Sequence, residues 1–337
     1  MIKQQEKFIW ADQLRTAAIV GVVTVHSAAS IPPLFGQISG ANWWTGHLID
    51  CLARFCVPAF VMLSGALLLK THSRPLDFYR RRFSRIVFPF LFWSLIYSLL
   101  QLAIKSGHLW QMSRSEYLSL FGKQLIQDSI SYHFWYVYMI LGLYLLIPVL
   151  GKWVRRMSGP ALLGLSGLCF IGVFCADFFV EDLKVPDVLR YVGYLPLGYY
   201  LGNRQFKGNM QPLWLLLTLS GFLLTAVGTF WISSQHERFD ASLYGYASPN
   251  ILMYSVGVFM LFRNINWPIP SRVSAFISRY SYGIYLVHVL TLSQIKLKWF
   301  MQYPLLSIPL SVVLCMAVSG LIIFLLNRLP GGKYISG

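Results

Sequence analysis

Two residues in the first apolar stretch, "ADQLRTAAIVGVVTVH" (11–26), could do chemistry: Arg15 and His26. Arginine supplies a planar fork of donors that matches phosphate or carboxylate oxygens. A neutral histidine can take a proton from a hydroxyl. Eleven residues separate the two, an offset of about 20° on a helix, so they share one face roughly 16 Å apart along the axis. With a hydrocarbon core of about 30 Å, Arg15 then lies at a membrane edge and His26 near the midplane. An ionisable side chain at that depth marks a functional site by default. The bland alternative is a snorkelling arginine and a histidine satisfied by a neighbouring helix.

The elements that must carry this pair are membrane helices. The chain has 337 residues, 56% hydrophobic and 12% charged, about half the charged fraction of an ordinary soluble protein. Apolar runs of near-spanning length recur at 15–34, 49–70, 86–105, 133–150, 160–178, 188–202, 212–232, 248–263, 275–292 and 304–326. The expected fold is therefore an all-α integral membrane protein, a single bundle of about ten transmembrane helices over 1–337. Only helices and closed barrels satisfy their backbone groups in lipid, and the alternating segments of a barrel are absent. The basic start and "SAAS" resemble a secretory leader, but the run is long and nine more follow, so retention as a span is expected.

Charge sets the orientation, since Lys and Arg collect on the cytoplasmic side. With the N-terminus inside, the inner segments hold 19 basic and three acidic residues, and the outer loops eight basic and nine acidic. Both termini are thus expected in the cytoplasm, with 71–84 inside and 106–132 outside. The net charge of +16 is a topology signal and does not argue for nucleic acid. Cys51 and Cys56 are poorly placed to bridge, and no metal-ligand spacing appears, so no metal is expected.

The inner loop "RPLDFYRRRFSRIVFPF" (74–90) holds Arg80, Arg81, Arg82 and Arg85. A stop-transfer cluster explains part of this; a phosphate-rich cytosolic ligand explains the excess. A long ligand with phosphates at the inner surface and a reactive end half-way through the membrane fits both clues. Coenzyme A, with a thioester on an extended arm, has that shape.

The sequence also resembles the membrane-bound acyltransferase 3 family. The Arg–x10–His pair (Arg15, His26) is joined by "VPAFVMLSGALLL" (57–69), "RRRFSRIVFPF" (80–90), "HFWYVYMILGLYLLIPVL" (133–150) and "SYGIYLVH" (281–288). The resemblance implies a ten-helix core in the bacterial cytoplasmic (inner) membrane, taking an acyl group, commonly acetyl, from acyl-CoA. The acceptor would be a hydroxyl of a cell-envelope glycan, a glycolipid or another carbohydrate. His26 would be the catalytic histidine and Arg15 its partner in handling acetyl-CoA. The expected form is the short one, without an added hydrolase domain after residue 326.

Direct transfer is the expected route, with His26 as base; Ser27 lies on another face, which disfavours a covalent acyl-enzyme. Other polar residues at depth are Arg54, Ser64, His133, Trp135, Tyr136, Tyr282 and His288, expected near the acceptor or lining the pocket. Arg54 lies about one turn inside the outer end of its span, where an ion pair with Asp50 explains it equally well. His133 opens the fourth span at the outer surface, where Trp135 and Tyr136 also suit an aromatic belt. Ser64, beside Gly65, also suits close helix packing. A transporter or flippase of a small polar or lipid-linked substrate is the rival reading, although no internal repeat of the carrier kind is evident.

Overall fold

The computed structural model describes residues 2–72, 74–106, 112–179, 185–295 and 300–337, and these form helices and connecting turns without a strand. The first, α1, is Ile2–Ala28, followed by α2 at Gly40–Ala53 and α3 at Cys56–Leu68. Helix α4 is Pro75–Gln101, α5 Arg114–Ile126, α6 Trp135–Val154 and α7 Gly159–Phe179. The pair α8 (Asp187–Val192) and α9 (Tyr194–Asn203) precedes α10 at Gln211–Gln235. The last three are α11 (Pro249–Asn264), α12 (Ser271–Gln294) and α13 (Pro304–Arg328).

Eight helical segments among the described residues are long and apolar enough to cross a membrane. The bundle is thus a multi-span, all-α one. Two of the ten expected runs, 188–202 and 275–292, are not among the eight. The run at 188–202 is two short helices that meet at Gly193, and α9, ten residues long, rises only about 15 Å. Helix α12 has the length, but Arg272, Arg279 and its serines dilute its hydropathy. Residues 107–111 of the expected outer loop lie outside the described residues.

The second run also differs. Helix begins at Gly40, nine residues before the expected start, and the span Gly40–Leu68 breaks at Arg54–Phe55. The mixed segment "GANWWTGH" hid the extension, because its Asn, Thr and His interrupt the apolar run. Arg54 consequently caps α2 in mid-span, deeper than one turn inside an outer end.

Helix α1 packs against α2, α3, α11, α12 and α13, and it and the α2–α3 pair are among the most enclosed spans; α7 and α10 are the most peripheral. Short α9 lies tightly along α3. A Cβ on Gly65 would meet the Leu195 carbonyl, and one on Gly198 the Met62 backbone. Paired small residues are what let two membrane helices approach to backbone contact. Helix α4 starts with Pro75 in its first turn, where a missing N–H costs nothing. It therefore carries the arginine cluster on a helix, where a loop was expected.

Candidate functional site

A cavity of 1140 Å³ runs between α1, α3, α4, α6 and α12. Helix α1 is held against α12 by side chains in its N-terminal half. Gln13 donates to the Trp267 and Ile269 carbonyls (3.2 and 3.0 Å), and Thr16 donates to the Ser274 carbonyl at 3.0 Å. These bonds set the register in which Arg15 and His26 both reach the cavity wall.

Arg15 donates through Nη1 to Ser278 Oγ at 2.8 Å and lies 3.4 Å from Asp12 Oδ1. Ser278 in turn donates to Asp12 Oδ1 at 2.6 Å. Both Arg15 contacts use one nitrogen, and a guanidinium has five N–H donors, so capacity for an anionic ligand remains. Around Arg15 the wall also carries Lys70, Arg82, Arg85, Arg279 and Lys333. Asp12 is the one acidic side chain among the described lining residues. A polyanion with several phosphate groups suits such a basic mouth.

Of the arginine cluster, Arg82 and Arg85 line the cavity while Arg80 and Arg81 are exposed and off its wall. Helix phase separates them, since positions three apart share a face and adjacent positions do not.

The other end of the cavity is a histidine cluster. The His26 ring lies 5.0 Å from the His288 ring and 5.3 Å from that of Tyr132. His133 and His288 are 5.2 Å apart, both with no exposed surface. Burial of His133 corrects the outer-surface placement. The turn Tyr132–Phe134 folds inward ahead of α6, so Phe134 packs on Phe90 and Tyr97 and carries His133 with it. His133 Nδ1 pairs with Ser131 Oγ at 2.8 Å, and the His133 carbonyl accepts the Tyr285 hydroxyl. His288 Nδ1 faces the Tyr285 carbonyl, which only accepts, so Nδ1 carries the hydrogen of the neutral ring. Nε2 of His133 and Nε2 of His288 have no hydrogen-bond partner among the described residues. His133 lines the cavity, and His288 lies behind His26, off the wall.

Ser64, Trp135, Tyr136 and Tyr282 also line the cavity. Ser64 donates to the Phe60 carbonyl at 3.0 Å and Tyr282 to the Ile86 carbonyl at 2.8 Å. The Trp135 ring lies over Tyr191 and Tyr246, and Tyr136 leans on Tyr285. Arg54 stands one layer back. It is paired with Asp50 at 2.6 Å, and its guanidinium is 5.9 Å from the ring of cavity-lining Tyr246. Among the described residues no group of three or more His, Cys, Asp or Glu could hold a metal ion, and the five cysteines are free.

Sequence reasoning missed Lys70, Ser278, Arg279, Tyr285 and Lys333 on the wall. Three of the five, Ser278, Arg279 and Tyr285, have a legible signal. Ser278, Arg279, Tyr282 and Tyr285 recur at helical spacing on α12, forming a polar stripe in an apolar span. Lys70 and Lys333 carry in the sequence only the inside-positive charge signal.

No curated protein and no solved structure matches the chain. A family model described as an acyltransferase domain does match, over residues 8–326. That range takes in the Arg15–His26 helix, the arginine-bearing α4 and the polar stripe of α12. The chain is a membrane acyltransferase and belongs to the acyltransferase 3 family.

Proposed function

We propose that the protein transfers an acyl group, acetyl in the simplest case, from cytosolic acyl-CoA to a hydroxyl of a cell-envelope glycan or other carbohydrate. The setting is the bacterial inner membrane, with both termini in the cytoplasm and one catalytic domain. The carrying observation is a single cavity with six cations around one end and His26 at the other. Phosphates of the donor would sit at Arg15, Arg82 and Arg85, and the pantetheine arm would bring the thioester to His26.

At the thioester, a neutral His26 ring nitrogen takes the proton of the acceptor hydroxyl while its oxygen attacks the carbonyl carbon. The tetrahedral intermediate collapses, the C–S bond breaks, and the departing thiolate receives the proton held by His26. Trp135, Tyr136 and Tyr246 offer the aromatic faces on which a sugar ring can lie. His288, packed against His26 from behind, would hold its ring in place.

Transfer of labelled acetyl from acetyl-CoA to a glycan acceptor tests this. His26→Ala should lose about 10²–10⁴-fold in rate while still binding acetyl-CoA. Arg15→Lys should weaken donor binding, because a point charge lacks the guanidinium fork. Near-wild-type turnover by folded His26→Ala would remove His26 from the mechanism.

A further inference from the structure

The segment after α13 returns to the cavity. Pro330 and Gly331 turn the chain, with Gly331 at φ +74°, a left-handed backbone that glycine adopts without strain. Three fixtures then hold the segment. The Trp93 indole donates to the Ile335 carbonyl at 3.0 Å, and Asn327 Nδ2 donates to Ser336 Oγ at 2.6 Å. The third is Gly283 on α12, where a Cβ would run into the Ser336 carbonyl.

The result is a strap with two characters. Ser336 is fully buried, whereas Lys333 and Tyr334 remain exposed and line the cavity. Lys333 Nζ lies 5.0 Å from the Tyr334 ring centroid, and Phe88 of α4 meets that ring edge-on at 5.9 Å. A cation and an exposed aromatic face are therefore presented together at the basic mouth. A nucleotide needs both, since phosphates pair with cations and a base stacks on an aromatic ring.

We infer that the strap 329–337 is the wall of the donor site that receives the nucleotide end of coenzyme A, with Lys333 contacting phosphate and Tyr334 stacking on the base. This rests on the acyl-CoA reading above. It assigns donor recognition to five separate parts of the chain: α1, the end of α3, α4, α12 and the strap. The strap, fastened at 335–336, keeps Lys333 at the mouth, where its exposed side chain lies against the Tyr334 ring.

The test is calorimetric binding of coenzyme A to the purified full chain in detergent. Lys333→Gln should raise the Kd about tenfold, Lys333→Arg should restore most of the affinity, and Tyr334→Ala should also weaken binding. Raised salt should weaken wild type more than Lys333→Gln. Because Lys333 is exposed, its thermal unfolding should be unchanged. Two outcomes overturn the strap assignment. One is a Kd within twofold of wild type for Lys333→Gln, alongside weakened binding by Arg82→Gln/Arg85→Gln. The other is a loss in Lys333→Gln that tracks lowered thermal stability and is not restored by Lys333→Arg. If Arg82→Gln/Arg85→Gln also binds normally, the acyl-CoA reading itself fails, and the strap assignment falls with it.

Discussion

Replacing Arg54 with methionine should be among the most damaging single changes in the bundle. Asp50 is 1% exposed, and one of its oxygens accepts from Arg54 Nε at 2.6 Å. Its other oxygen has no hydrogen-bond partner among the described residues. Arg54 also donates to the Tyr244 carbonyl at 2.9 Å and stacks 3.6 Å over the Tyr244 ring. Tyr244 in turn bonds His47 at 2.6 Å, and His47 reaches the Ala226 carbonyl at 2.9 Å. The arginine thus ties the break between α2 and α3 to α10 and the turn before α11. Removing it strands a buried carboxylate, which costs about 3–5 kcal/mol; the desolvated cation–π contact adds up to about 2 kcal/mol. Arg54→Met with Asp50→Asn removes the stranded charge, so the double variant should recover at least half of the loss. Denaturant-induced unfolding in detergent of wild type, both single variants and the double variant gives the coupling directly. A cost below about 1 kcal/mol for Arg54→Met, against the range for breaking a buried pair, would refute the reasoning. So would a double variant no more stable than the single.

Gly65→Ala and Gly198→Ala should each destabilise by about 1–3 kcal/mol, since either methyl meets the backbone of the facing helix; unchanged unfolding midpoints would contradict that packing. Asp128, in the loop before α6, has its carboxyl pushed up to about 6, first by burial and then by Asp187. The folded protein then holds this proton more tightly than the unfolded chain. Its stabilising contribution is complete below about pH 4 and is lost as pH rises through about 6. Asp128→Asn should flatten the fall in melting temperature between pH 4 and 7, and an unaltered slope would remove Asp128 as its source. For orientation, cysteines introduced at 76 and 120 should label from opposite sides of intact cells, 120 alone being open to an impermeant reagent. Labelling of position 76 would overturn cytoplasmic termini.

Much of the fold is legible because lipid simplifies the code: a spanning run must be apolar and helical. The runs at 133–150, 212–232 and 304–326 lie within described spans for that reason, and those at 86–105 and 160–178 overrun theirs by one residue. Reading failed where polar residues face protein, as they do in "GANWWTGH" and along α12. Hydropathy counts such residues as breaks, whereas a helix buried among helices tolerates them on its enclosed side. The same cause hid the depth of Arg54 and of His133. Arg54 donates to the carbonyl of Tyr244 and the His133 carbonyl accepts from Tyr285, partners far away in sequence.

The chain by itself determined the helical membrane architecture, the family, and the pairing of Arg15 with His26 on one face. Each follows from local rules of spacing and composition. Tertiary structure alone decided which of four neighbouring arginines reaches the cavity, because that depends on where α4 begins and how it is rotated against α12. It also decided that His288 stands behind His26, and that Lys333 joins a mouth whose Arg15 lies more than 300 positions away. Such meetings arise from helix packing between elements far apart in sequence, and no local pattern in the chain encodes them.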